Sequence, residues 1–268
     1  MTGPGTNWLE GRTAIVTGSV GSGIGRSTAL NLAKAGANVV LNHGTGGRDR
    51  SDETREVLDA IAKMQGNAIH VKADTRTSEG VAKILADTRK AYGEPDILVN
   101  NAGAPWLDQD FTEVDAERWY QTLAAEVIGP SLLIKGVLPG MRSKRWGRIV
   151  NIAIDRATLG SLLDHTYADR LDRLPFPFTV GKLARAEITR MLAPIEWRYG
   201  ITINNVCPGI IEDMSLKEAV KALDSKHPAP LSTPADIAEL VLLLCSERMR
   251  GVTGSDIVMP GNVFARLR

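Results

Sequence analysis

The stretch Thr17-Gly18-Ser19-Val20-Gly21-Ser22-Gly23-Ile24-Gly25 constrains the fold of this chain more than any other feature. It follows a short β-rich run and opens an amphipathic segment. Glycines let a backbone turn tightly and bring its N–H groups close to a diphosphate, whose charge then meets the N-terminus of the following helix. Four glycines at this spacing mean little alone. Between a strand and a helix they point to nucleotide binding, with Gly18, Ser22, Gly23, Ile24 and Gly25 as the cradle.

The same alternation continues to the end of the chain. Strand-like runs occur at 13–17, 37–42, 67–72, 96–100, 148–153, 201–206 and 256–259. Helical patterns lie between them. Val57, Ile61 and Met64 form one, closed by Gly66; Val81, Ile84, Leu85 and Thr88 form another, closed by Gly93. A third takes Leu183, Ala184, Ile188, Met191 and Ile195 as its buried stripe. Thr233-Pro234-Ala235-Asp236 combines an N-cap residue, a proline in the first turn and an acid at the third position. Strands alternating with helices require right-handed crossovers and a parallel sheet covered on both faces. The expected fold is α/β, a Rossmann-type doubly wound sheet of seven parallel strands in one domain spanning 1–268.

Composition narrows the partners. The net charge of +1 gives no electrostatic reason to expect nucleic acid or a membrane surface. No apolar run reaches the roughly 18–20 residues of a membrane span, and the first residues lack a basic segment followed by an apolar one. Cys207 and Cys245 fit no metal-ligand spacing and read as reduced core thiols of a cytoplasmic protein. No metal is expected, and the expected partner is a small-molecule substrate.

Two stretches, 155–177 and 210–232, are longer than usual connections and fall at the carboxyl edge of the sheet. Ligands bind at that edge in open α/β folds. Both are expected to line a pocket.

Taken with Asn100-Asn101-Ala102-Gly103, Arg198-Tyr199-Gly200-Ile201, Cys207-Pro208-Gly209 and Val252-Thr253-Gly254-Ser255-Asp256, the glycine turn resembles the short-chain dehydrogenase/reductase family. The cadence is similar to its 3-oxoacyl thioester reductases, although this turn has one more residue between Gly18 and Gly23. The resemblance runs from about residue 9 to 261. It implies a nicotinamide dinucleotide held by the glycine turn, by Asp74 and Thr75 near the adenine, by Asn101, Ala102 and Gly103, by Lys182 at the nicotinamide ribose, and by Pro208, Gly209 and Ile211. It also implies a homodimer or homotetramer, paired through the helix that carries Glu126. An acid ending the second strand would favour NAD. Here Asn42 and His43 stand there, followed by Arg48 and Arg50, and arginine pairs well with a 2′-phosphate. NADP(H) is therefore favoured over NAD(H).

The catalytic positions implied by the resemblance are largely rewritten. Phe178-Thr179-Val180-Gly181-Lys182 keeps the lysine and replaces the tyrosine with Phe178. Ile154 stands where the serine belongs, and Glu126 where the supporting asparagine belongs. No threonine follows Pro208-Gly209 to hold the nicotinamide amide. The 155–177 stretch offers Asp155, Asp164, His165, Tyr167 and Asp169 as replacements. Tyr167, 15 residues before Lys182, is placed as in the 2,4-dienoyl-CoA reductases. Lys182, Tyr167 and Glu126 are thus the candidate catalytic residues. Trp106, Leu159, Leu162 and Phe176 are expected to make the pocket apolar.

The expected activity is an NADP(H)-binding reductase with unusual proton chemistry, acting on a small carbonyl or conjugated enoyl compound. Two other readings stay open. One is a non-redox enzyme on the same fold, such as a dehydratase, isomerase, cyclase or C–C bond enzyme. The other is a nucleotide-binding partner without catalysis.

Overall fold

In β1 (Thr13–Val16) all four side chains are buried, and they divide by alternation: Ala14 and Val16 pack on one face of the sheet, Ile15 on the other. A strand with both faces covered is what a parallel sheet demands. The computed structural model, which describes residues 7–156, 173–209, 211 and 232–259, has seven parallel strands in the order β3-β2-β1-β4-β5-β6-β7. The others are β2 (Asn38–His43), β3 (Ala68–Lys72), β4 (Ile97–Asn100), β5 (Gly147–Ile152), β6 (Ile201–Pro208) and β7 (Asp256–Met259). Strand order reverses between β1 and β4, which opens a crevice above their carboxyl ends.

One face of the sheet is covered by α1 (Ile24–Lys34), α2 (Ser51–Lys63) and α7 (Pro234–Leu244), through Leu32, Val57, Ile61, Ile237 and Val241. The other is covered by α3 (Ser78–Tyr92), α5 (Gly129–Lys144) and α6 (Phe176–Glu196), through Ile84, Leu133, Val137, Met141 and Ala193. The expected start of α7 is present in full. Thr233 accepts from the Asp236 N–H, and the Asp236 carboxylate accepts from the Thr233 N–H.

α4 (Ala116–Leu123), a π turn (Ala124–Ile128) and α5 run as one helix, Ala116–Lys144. Among the described residues it is the one helix long and apolar enough to cross a membrane, a pattern that no uninterrupted apolar run announces. Here its apolar residues Leu133, Ile134, Val137, Leu138 and Met141 are buried against the sheet.

Two sequence expectations need correction. Met64 lies just beyond the end of α2 and is exposed, because the helix stops at Lys63 and leaves the stripe to Val57 and Ile61. In α6 the buried face is not the apolar stripe. Gly181, Lys182, Arg185, Ala186, Thr189, Ala193 and Glu196 turn inward, while Met191 is 71% exposed and Ile195 46%. The inward polar groups are all partnered. Thr189 donates to Asn205 Oδ1 at 2.6 Å and accepts from the Asn151 amide at 2.8 Å. Arg142 Nε donates to Glu196 Oε2 at 2.8 Å. Hydrogen bonding to the sheet decides which face goes in, and hydrophobicity alone mispredicts it.

Candidate active site

The glycine turn hangs between β1 and α1 above the crevice. Gly18 (φ +64°) and Gly23 (φ +115°) have backbone conformations that side chains rarely adopt. A Cβ on Gly25 would collide with Gly18 O, whereas above Gly23 there is open space. α1 starts with no side-chain cap and no acid in its first turn, leaving N-terminal donors and positive dipole for an anion. Thr17 Oγ1 accepts from the N–H groups of Asn101 and Ala102, both at 3.0 Å. The Asn101 amide donates to Thr17 O at 2.9 Å and Gly18 O at 3.1 Å. Asn101 therefore braces the turn. A dinucleotide fits this cradle: the space over Gly23, the uncapped helix and the exposed Ser22 lie together.

The end of β2 distributes its residues unevenly. Asn42 is buried, and its amide donates to Val71 O and Ala73 O, each at 3.0 Å. That side chain ties β2 to β3 and is turned into the sheet, whereas the sequence reading sets it at the cofactor. Arg48 is ion-paired with Glu53. Arg50 stands 4.0 Å from the same Glu53 carboxylate and also lies against the glycine turn, so that a Cβ on Gly21 would stand 2.8 Å from its Nη1. Asp74 caps the turn after β3, accepting from the Arg76 N–H at 2.9 Å and pairing with Arg76 Nη2 at 2.7 Å. The Arg76 hydrogen bonds hold its carboxyl below the usual carboxylate range. The neighbouring Thr75 is buried, and its carbonyl oxygen packs against Gly129 so closely that a Cβ there would collide. At the far side of the crevice the Gly209 N–H donates to Met259 O at 2.7 Å, and Ile211 bridges Ser232.

Where the family tetrad is rewritten, the described residues form a buried ionic cluster. Glu126 is 0% exposed and sits in the π turn. Its Oε1 accepts from the Ala104 N–H at 2.7 Å, while Oε2 stands 2.8 Å from Arg185 Nη2 and 3.3 Å from Lys182 Nζ. Lys182, 7% exposed, donates to Ile152 O at 2.9 Å. A Cβ on Gly103 or Gly181 would run into the Glu126 side chain, so both glycines make room for it.

The π turn and Arg185 explain each other. Pro130 has no N–H, so the Glu126 carbonyl lacks its ordinary helical donor. Arg185 Nε donates to that oxygen at 2.8 Å. The same guanidinium donates to Asn100 O, Ala102 O, Ala125 O and Ile152 O at 3.0–3.2 Å. One side chain thus ties together the ends of β4 and β5, the loop after β4, and the π turn. Sequence reasoning passed over Arg185; its position three residues after Lys182, on the same helical face, was the available signal.

Above the cluster the walls are apolar. Ile154 is buried at the serine position. The Phe178 ring lies 5.5 Å from Lys182 Nζ and 5.1 Å from Trp106. Phe176 packs edge-on against Phe111 at 5.1 Å, and Gln109 pairs with Leu174 across the mouth. Asp155 is buried at the end of β5. Asp164, His165, Tyr167, Asp169, Leu159 and Leu162 lie outside the described residues. Burial pushes Lys182 down to about 8 against the opposing pull of Glu126. Burial likewise raises the thiols of Cys207 and Cys245, Cys245 to about 12, so both are inert.

Residues 18–261 match the family described as enoyl-(acyl carrier protein) reductase. The D-beta-hydroxybutyrate dehydrogenase of Rhizobium meliloti (strain 1021) is 30% identical, over 95% of this chain and 99% of that protein. The 3-oxoacyl-(acyl-carrier-protein) reductase FabG of Aquifex aeolicus (strain VF5) is 33% identical, over 96% and 98%. Among solved structures, one described as a short-chain alcohol dehydrogenase from Sinorhizobium meliloti 1021 superposes with a TM-score of 0.81 at 26% identity, over 96% of this chain and 98% of that one. With that agreement over nearly its whole length, and with the crevice and glycine cradle in place, this chain belongs to the short-chain dehydrogenase/reductase family of nicotinamide-dependent oxidoreductases.

Proposed function

We propose that this protein is an NADP(H)-dependent reductase of a small apolar carbonyl or conjugated enoyl compound, working with proton chemistry unlike that of its relatives. The observation that carries the reading is the pairing of an intact glycine cradle with a rebuilt catalytic floor. Asn101 still braces the turn, yet Phe178 and Ile154 have no hydroxyl, and Glu126, Lys182 and Arg185 form a closed ionic cluster in their place. When bound, the nicotinamide supplies or accepts the hydride. Gly18, Gly23, Gly25 and the α1 N-terminus would hold its diphosphate, and Arg50 beside Gly21 supports a 2′-phosphate. Trp106, Phe178, Phe176 and Phe111 offer a largely apolar wall to a flat or conjugated substrate.

The absence of a hydroxyl at Phe178 and Ile154 also limits what can react. A ketone needs a donor on its oxygen as charge develops, and losing an acid–base group typically removes about 10²–10⁴-fold in rate. Simple 3-oxo esters should therefore be reduced very slowly, while conjugated enoyl thioesters should turn over. Calorimetry with NADPH and NADH, followed by NADPH oxidation with both substrate types, tests this. Failure to bind either dinucleotide removes the reading. Rapid reduction of ordinary 3-oxo esters would show that Phe178 and Ile154 do not matter as argued. Product formation without NADPH oxidation would favour a non-redox enzyme, a reading supported by the loss of the tyrosine hydroxyl at Phe178 and of a threonine after Pro208-Gly209.

The protein is further proposed to act in the cytoplasm as a homo-oligomer. Tyr120 and Ile128 of the Glu126 helix and Val180, Met191 and Ile195 of α6 are exposed apolar side chains on neighbouring elements.

A further inference from the structure

We propose that Lys182 is itself the proton-transferring residue of this cleft, delivering from its ammonium the proton that a tyrosine hydroxyl delivers elsewhere in the family, with Glu126 and Arg185 as positioning residues. The inference rests on the reductase reading and names the acid of that same site.

The first argument is a charge count. Glu126, Lys182 and Arg185 touch one another out of water, and with all three ionised they sum to one positive charge. A buried net charge is costly and is relieved by releasing a proton. Arg185 cannot release it, because a guanidinium stays protonated and this one also holds five carbonyl oxygens. Lys182 is the group left to titrate. The other ionisable groups nearby are Asp155, a buried carboxylate beyond β5 that stands outside the three-residue count, and Cys207 on β6, whose thiol stays neutral.

The second argument is placement. One ammonium hydrogen is met by Ile152 O at 2.9 Å, and Nζ stands 3.3 Å from Glu126 Oε2 as an ion pair. Among the described residues no further acceptor meets Nζ. The Phe178 ring, 5.5 Å from Nζ, fills the position of the lost hydroxyl, and Ile154 adds none. Among the described residues, then, no hydroxyl from either family position intervenes between this ammonium and a substrate against the aromatic wall. The downward shift of Lys182 to about 8 is what such an acid needs near neutral pH.

The step balances simply. With a hydride supplied by a bound nicotinamide, a conjugated enoyl substrate would be left with negative charge to be quenched at its α carbon. One Lys182 N–H bond breaks, its electron pair stays on nitrogen, and a C–H bond forms at the α carbon of the product. Solvent then returns a proton to the amine.

Lysine ¹⁵Nζ NMR of the intact protein tests the assignment without turnover, with Lys182→Met used to identify the resonance. The expected midpoint is near pH 8, shifted lower in Glu126→Gln because the carboxylate that favours the ammonium is gone. Should that variant fail to fold, the wild-type titration alone decides. In NADPH-dependent turnover the rate should fall about tenfold per pH unit above that midpoint. A Lys182 midpoint near the ordinary ~10.4, or a rate that does not fall above the Lys182 midpoint, overturns the proposal. Absence of NADPH binding overturns the reductase reading instead, whatever the midpoint.

Discussion

Arg185 grips Glu126 twice: its Nη2 stands 2.8 Å from the carboxylate Oε2, and its Nε donates at 2.8 Å to the same residue's carbonyl oxygen. Side chain and backbone of one residue are therefore fixed by one guanidinium, inside a turn that Pro130 has deprived of a helical hydrogen bond. Glu126→Ala should leave Arg185 and Lys182 as buried cations without a counter-charge. A destabilisation of about 3–5 kcal/mol is expected, read as a lower urea midpoint. Glu126→Gln keeps the volume and one acceptor and should lose less. If Glu126→Ala unfolds at the wild-type midpoint, the carboxylate is not holding this floor.

The lysine makes stability depend on pH in a definite direction. Its folded value of about 8 lies below the ~10.4 of an unfolded chain. Between these two values the unfolded state binds more protons, so unfolding becomes harder as pH rises. Below pH 8 both states are protonated and the burial penalty is complete. The wild type should therefore gain stability from pH 8 to pH 10, on the order of 2–3 kcal/mol, relative to Lys182→Met. Urea midpoints of both proteins across that range supply the measurement. Parallel curves would mean that Lys182 is not perturbed.

Cofactor choice should follow Arg50 and not Arg48. Glu53 holds Arg48 closely and Arg50 only at 4.0 Å, Asn42 is turned into the sheet, and Arg50 lies against Gly21. Arg50→Ala should weaken NADPH binding roughly tenfold or more, as expected for one charge-assisted contact, and leave NADH little changed. Arg48→Ala should alter neither strongly. Equal losses for NADPH and NADH in Arg50→Ala would place that guanidinium on the shared diphosphate.

What is legible in the sequence follows from which forces are local. Strand–helix alternation and the caps are written in neighbouring residues, so the seven strands, the glycine turn and the Thr233 cap can all be read from the chain alone. The ionic floor is readable only in part. Lys182 and Glu126 are found by position against a family pattern. Arg185 acts through backbone carbonyls of four separate segments, and no spacing in the chain encodes those. The inward face of α6 escapes sequence reading for a related reason. Periodicity weighs side-chain hydrophobicity, but at the carboxyl ends of β4 and β5 open carbonyl groups need donors. Lys182 and Arg185 answer that need, and the apolar stripe is left outside.

That displaced stripe makes the last prediction. Met191 and Ile195 are exposed on α6, Val180 lies on the same helix, and α4 and the π turn, which bear Tyr120 and Ile128, both pack against α6. An isolated exposed apolar residue needs no explanation, but several on neighbouring helices mark a surface that something covers. A second copy of the chain would meet this surface with the same surface, the self-complementary arrangement of a two-fold interface. The π turn that carries Glu126 contributes Ile128 to it, so association would also stiffen the catalytic floor. Met191→Glu places a charge in the middle of the patch without touching Lys182, Arg185 or the sheet. Light scattering after size exclusion should show an oligomer for the wild type and a monomer, or a much weaker oligomer, for the variant. Circular dichroism should show the fold retained. A wild type that is monomeric at tens of micromolar would leave the patch to some other partner and remove the expectation of a homo-oligomer.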